Sequence, residues 1–104
     1  MMNPVELGRI GENAVANLLR AEGWTINEQN TQGAGSTDID ASKDGKRILV
    51  QVKTSVAPNQ PGTLDSQELR NIKSRAARTG ATAYLGQVQL DPPRAPSIRM
   101  IPVQ

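Results

Sequence analysis

Thr37-Asp38-Ile39-Asp40-Ala41, Asp44-Gly45 and Arg47-Ile48-Leu49-Val50-Gln51-Val52-Lys53 form the stretch whose reading decides the fold. Asp-Gly favours a two-residue hairpin turn, because both central positions of that turn need positive φ. The segment after it is the strongest strand in the chain. Its alternation sets Gln51 and Lys53 on one face and Val50 and Val52 on the other. If the turn makes the flanking strands antiparallel, Asp38, Gln51 and Lys53 converge at one end of a sheet. An acid, an amide oxygen and an ammonium group in one place suit phosphodiester hydrolysis. The first two hold a metal ion, and the lysine steadies the attacking water. Magnesium tolerates little geometric error, so its ligands belong on strands. Asp followed by Gln-x-Lys is also what any exposed strand displays, and the fragment alone does not decide between the two.

Working outward, Leu7, Ile10, Ala14, Val15, Leu18 and Leu19 recur at helical spacing and predict a helix from about Val5 to Glu22. Asn3 caps it, Pro4 suits its first position and Gly23 closes it. Gly8 and Gly11 inside it imply close packing on a sheet or close approach to a ligand. Trp24 to Glu28 alternates like a half-buried strand, and Thr37 to Ala41 reads as a second. Residues 56–64, with Pro58, Pro61 and Gly62, form a loop expected to be mobile. Asp65 and Glu68 make an Asp version of the capping box for a second helix that ends at Gly80. Its apolar face is Leu69, Ile72 and Ala76, with Arg70, Lys73, Arg75 and Arg78 over the opposite side. Ala81–Val88 and Ser97–Val103 are the last two strands, giving the order α-β-β-β-α-β-β. Trp24 and Tyr84 read as core or edge packing.

The totals narrow the chemistry. With 104 residues, the chain suits a single α/β domain over 1–104, and with no cysteine it has neither disulfides nor thiolate zinc sites. No histidine is present, which removes the usual zinc ligands and every His-activated nucleophile. Carboxylates, amides and lysine remain, and oxygen ligands of that kind suit magnesium or manganese. Trp24 and Tyr84 are the sole aromatics, too few for a base-stacking platform. The charge is divided: Arg9, Arg20 and Lys43 face seven acidic residues in 1–44, whereas 45–104 is predominantly basic. An acidic centre with a basic surround suits a metal site acting on a polyanion, although ordinary solvated surface gives the same count. Without a membrane-spanning run or secretory leader, the expectation is a cytoplasmic protein that does not enter a membrane.

Gly8-Arg9-Ile10-Gly11-Glu12, Ala16, Leu19, Gly23-Trp24, Ile26, Asn30, Gly35-Ser36-Thr37-Asp38-Ile39 and Val50-Gln51-Val52-Lys53-Thr54 together resemble a known family. Their order and spacing are similar to small bacterial endonuclease-like proteins related to archaeal Holliday-junction resolvases, within the PD-(D/E)XK nuclease superfamily. The resemblance spans about residues 5–90. It implies a restriction-endonuclease-like mixed central sheet flanked by helices, a magnesium or manganese site, and duplex or branched DNA as substrate. Residue by residue, it implies that Glu12, Asp38, Gln51 and the carbonyl of Val52 serve the metal and that Lys53 assists the water. Gln67 matches a polar residue beside the site in some relatives. Two positions depart from the pattern. Gln51 stands where the family has an acid, and Ser36 where close relatives have a glutamate. Asp40, on the face of Asp38, either restores the lost charge or is a solvated edge residue.

These readings predict a metal-dependent DNA endonuclease, with Gln67, Arg70, Lys73, Arg75 and Arg78 on the nucleic acid. A homodimer would serve to cut both strands. The alternative is a catalytically silent nucleic-acid-binding module that keeps the nuclease fold. An RNA-cutting nuclease is a third.

Overall fold

Asp44 and Gly45 adopt φ of 51° and 77°, the pair of positive values that a tight hairpin turn demands. In the computed structural model, which describes residues 2–29 and 38–104, this turn joins β2 (Ile39–Lys43) to β3 (Lys46–Val56) in antiparallel register. The remaining elements are α1 (Pro4–Ala21), β1 (Thr25–Gln29), α2 (Ser66–Thr79), β4 (Thr82–Asp91) and β5 (Arg94–Pro102). They form one mixed sheet of order β1-β2-β3-β4-β5, in which only β3 and β4 run parallel, linked by the α2 crossover. The expected element order is the observed one.

Both helices start and stop where side-chain chemistry directs. Asn3 accepts from the Glu6 N–H at 2.8 Å, and Pro4 occupies the first turn of α1. Asp65 and Glu68 form the reciprocal capping box of α2, and Gly80, at φ 72°, ends it. Period-two alternation in β3 then divides the core. Ile48, Val50 and Val52 join Ile39, Ala41, Val15, Ala16 and Leu19 under α1. Leu49, with Ala83, meets Ile72 and Ala76 of α2 on the other face. Gln51 and Lys53, in phase with Leu49, therefore project from the α2 face.

The strands extend beyond their expected bounds. β3 continues through Thr54-Ser55-Val56 because β4 pairs with it as far as Val56 opposite Leu90. β5 begins at Arg94 because Asp91 pairs with it across Pro92-Pro93. Pro96 and Pro102 are tolerated there because β5 is an edge strand. The strand expected from Thr37 begins at Ile39, and Asn30 and Gly35-Ser36-Thr37 lie outside the described residues. The loop after β3, expected to be mobile, is tied to the sheet. Gln87 Nε2 donates to the Gly62 carbonyl at 2.9 Å, while Gln89 Nε2 and Ser55 Oγ both donate to that of Asn59 at 2.7 Å.

Of the two interior glycines of α1, only Gly11 is held by packing. A Cβ there would stand 1.8 Å from Thr54 Oγ1 and 2.9 Å from Thr54 Cβ, whereas nothing lies within 4 Å of one added at Gly8. Gly11→Ala is expected to lose about 1–3 kcal/mol to overpacking, outweighing the ~1 kcal/mol that alanine gains in a helix. Gly8→Ala should be neutral or stabilising. Urea melts of the two variants check this contrast.

Candidate functional site

At the end of the hairpin the backbone ladder of β2 gives way to a side chain. Lys43 pairs with Lys46, Ala41 with Ile48 and Ile39 with Val50. Hydrogen-bonded pairs alternate along an antiparallel ladder, so Val52 carries the next N–H due to point at β2. The Asp38 carboxylate accepts it, at 2.7 Å to Oδ2. Gln51 Nε2 donates to the same oxygen at 3.1 Å. The carbonyl of Val52 faces the same side as its N–H. Asp38, Gln51 and Val52 thus meet at one point.

Two further carboxylates flank this point from opposite faces of the sheet. Glu12 of α1, only 9% exposed, comes within hydrogen-bonding reach of Asp38. Burial first, then the charge and hydrogen bond of Asp38, push its carboxyl up to about 7, with Arg9 opposing. Asp38 is also raised, again chiefly by burial, although the Val52 N–H and the Lys53 charge act to lower it. Glu68 of α2 lies on the other side. Its Oε2 accepts from Lys53 Nζ at 2.6 Å and its Oε1 from the Asp65 N–H at 3.0 Å, so one carboxylate serves both the helix cap and the lysine. Sequence reading gave Glu68 the cap alone. Its spacing from Asp65 signals that role, and nothing local signals the second.

The other candidates separate from this cluster. Asp40 neither restores charge nor faces solvent. It is 1% exposed and held by Arg47 Nε at 3.0 Å, Arg47 Nη2 at 2.5 Å and Asn27 Nδ2 at 3.1 Å. Those hydrogen bonds, with Arg47 foremost, lower its pKa. Arg75, expected on the outer side of α2, is half-buried instead, with Nη2 3.7 Å from Asp40 Oδ2. The buried carboxylate of Asp40, already paired with Arg47, takes it as a second, longer ion pair. Gln67, Arg70, Lys73 and Arg78 are exposed on α2. Trp24 and Tyr84 pack against the core under α1. Among the described residues no three acidic side chains gather as a ready-made cation cage, and no helix is long and apolar enough to cross a membrane.

The chain matches known proteins along most of its length. A solved structure, that of Archaeoglobus fulgidus Hjc, a Holliday junction resolvase from an archaeal hyperthermophile, superimposes with a TM-score of 0.73 and 26% identity. The match covers 93% of this chain and 73% of the resolvase. Fold and likeness together define a resolvase-like member of the PD-(D/E)XK nuclease superfamily. The chain belongs to the family described as Domain of unknown function (DUF8840), whose model matches residues 5–101. It is also 35% identical over 89 residues to a UPF0102 protein of Bacteroides thetaiotaomicron, across 85% of this chain and 72% of that protein, which places it in the same family as that relative.

The raised carboxyls carry a stability consequence. Their folded pKa values lie above the unfolded ones, so the folded protein binds more protons. The stabilisation is complete below the unfolded value, near pH 4.5 for Glu12, and is lost as pH rises through about 7. In a chelator-containing buffer the Tm should fall between pH 5 and pH 8. Glu12→Gln should flatten that fall and gain about 1–2 kcal/mol at pH 8, after allowance for screening through the pocket that opens beside it. Thermal melts at the two pH values measure the difference.

Proposed function

We propose that the chain is a metal-dependent endonuclease hydrolysing DNA phosphodiester bonds, acting on duplex or branched DNA. The observation that carries this reading is the meeting of Glu12 and Asp38, on a resolvase-like nuclease fold, beside a lysine fixed on the neighbouring strand. Burial raises both carboxyls and the Asp38 charge raises Glu12 further, and a divalent cation would relieve that repulsion. The donor set fits such an ion: the carboxylates of Glu12 and Asp38, the carbonyl of Val52 and the amide of Gln51. In the structure that amide turns its nitrogen towards Asp38. Rotation of its terminal torsion would present the oxygen there. Because Gln51 is neutral, affinity should be lower than with an acid at that position.

Magnesium or manganese bound there would supply positive charge to the phosphate and lower the pKa of the attacking water. The chain's own residues do the rest. Lys53 donates to a phosphate oxygen or orients the water, and Glu68 restricts where its ammonium can reach. The water releases a proton to solvent as its oxygen bonds to phosphorus, one phosphorus–oxygen ester bond breaks, and the departing oxygen takes a proton from solvent. Gln67, Arg70, Lys73 and Arg78 would contact phosphates on either side, a sequence-independent grip. Arg75, engaged by Asp40, contributes little to it. Cutting both strands of a duplex would suit a homodimer.

The test is cleavage of duplex and four-way-junction DNA with magnesium or manganese. Asp38→Ala and Lys53→Ala should each lower the rate at least about 100-fold, and Gln51→Glu should lower the metal concentration needed. Unchanged rates in both alanine variants would overturn the assignment. DNA binding without cleavage or manganese binding would instead identify the silent module, the reading that Gln51 favours.

A further inference from the structure

The register of three strands lines up side chains far apart in sequence. Lys53 of β3 is opposite Gln87 of β4, and Gln87 is opposite Arg99 of β5. Paired residues share a face, so the three stand in a row across the sheet on the side of α2. The first two members are engaged, Lys53 by Glu68 and Gln87 by the Gly62 carbonyl. Arg99 is exposed and, among the described residues, enters no ion pair. Other arginines near the sheet differ: Arg47 and Arg75 are bound to Asp40, and Arg94 to Asp91 at 2.9 Å.

Arg99 lines a pocket of about 170 Å³ with Gln60, Pro61, Gln87, Gln89 and Ser97. No carboxylate lines it, so the guanidinium sets the sign of its field. Neighbouring strands lie ~4.8 Å apart, which places the backbone of Arg99 roughly 10 Å from that of Lys53. Successive phosphates of one strand are further apart than the ~3.4 Å axial rise because the strand winds about the axis, so this spacing suits a phosphate about one or two steps away.

We propose that this pocket is a phosphate subsite for the DNA strand whose reacting phosphate lies at Lys53. Arg99 pairs with a backbone phosphate about one or two nucleotides away, and the Ser97 hydroxyl and Gln60 amide are further donors. The subsite rests on the endonuclease reading and extends it, since it fixes which way a strand leaves the site: over β4 towards β5. It recognises backbone charge and is indifferent to base sequence.

The experiment measures binding of the full chain to a four-way junction by fluorescence anisotropy, in chelator and over a salt series. Arg99→Ala should weaken binding several-fold and reduce the slope of log K against log salt by about 0.9, one phosphate contact. Arg99→Lys should keep the slope. Arg20→Ala removes an exposed cation from the far end of α1 and should change neither quantity. An unchanged slope and affinity in Arg99→Ala, or losses of equal size in Arg20→Ala, would overturn the subsite and leave the cleavage reading intact. Failure of the unaltered protein to bind junction or duplex DNA would overturn both. Thermal melts confirm that the variants are folded.

Discussion

A single hydrogen bond, from the Val52 N–H to the Asp38 carboxylate, organises the rest of the candidate site. It replaces the backbone acceptor that a longer β2 would have supplied, so the carboxylate completes the ladder in place of the chain. A buried N–H without a partner would cost about 1–3 kcal/mol, which holds Asp38 in place without demanding anything of its second oxygen. Gln51, one residue earlier on β3, reaches the same oxygen. The position of the acid is therefore set by the register of the hairpin, and the register by a turn of two residues with positive φ.

Asp38 and Asp40 show how environment separates two identical side chains. Two residues apart, they belong to the same face of the hairpin. Asp40 received two arginines and an asparagine, and its carboxylate is stabilised as an anion inside the sheet–helix interface. Asp38 has backbone and amide donors but no arginine, and a second carboxyl group within reach. The first arrangement is a finished structural ion pair. The second retains a demand for positive charge, and that unmet demand makes it the better candidate for a cation.

What the sequence revealed follows the range of the interactions involved. The Asp44-Gly45 turn, the Asp65/Glu68 capping box and the alternation of Gln51 and Lys53 are short-range patterns, and each is realised in the fold. The inward course of Arg75 was hidden because helical spacing alone sets it beside Arg78, while its partner Asp40 is 35 positions earlier in the chain. Asp40 itself was legible as an acid on the right face, but nothing local told that Arg47 and Asn27 would enclose it. Strand ends failed for a related reason. Thr54-Ser55-Val56 has no strong alternation of its own and is extended because β4 lies alongside. The residues immediately before Asp38 lie outside the described part, so the departure at Ser36 has no structural outcome.

Glu68 joins the local and distant levels. Its two oxygens serve the Asp65 N–H and the Lys53 ammonium, so the first turn of α2 and the lysine cannot move independently. A sliding of the helix that kept its cap would pull on the lysine, and a lysine turned away would leave half of that carboxylate unpaired. The core contacts of Ile72 and Ala76 with Leu49 and Ala83 fix the helix against the same strands that carry Gln51 and Lys53. The sheet thus acts as the common reference for both ends of the arrangement: its hairpin places the acid, and its buried face, through α2, restrains the cation. Stiffness of this kind would serve the proposed reaction, because a misplacement of about 1 Å among catalytic groups can cost about 100-fold in rate. It is supplied here by ordinary packing, without a cysteine or a histidine anywhere in the chain.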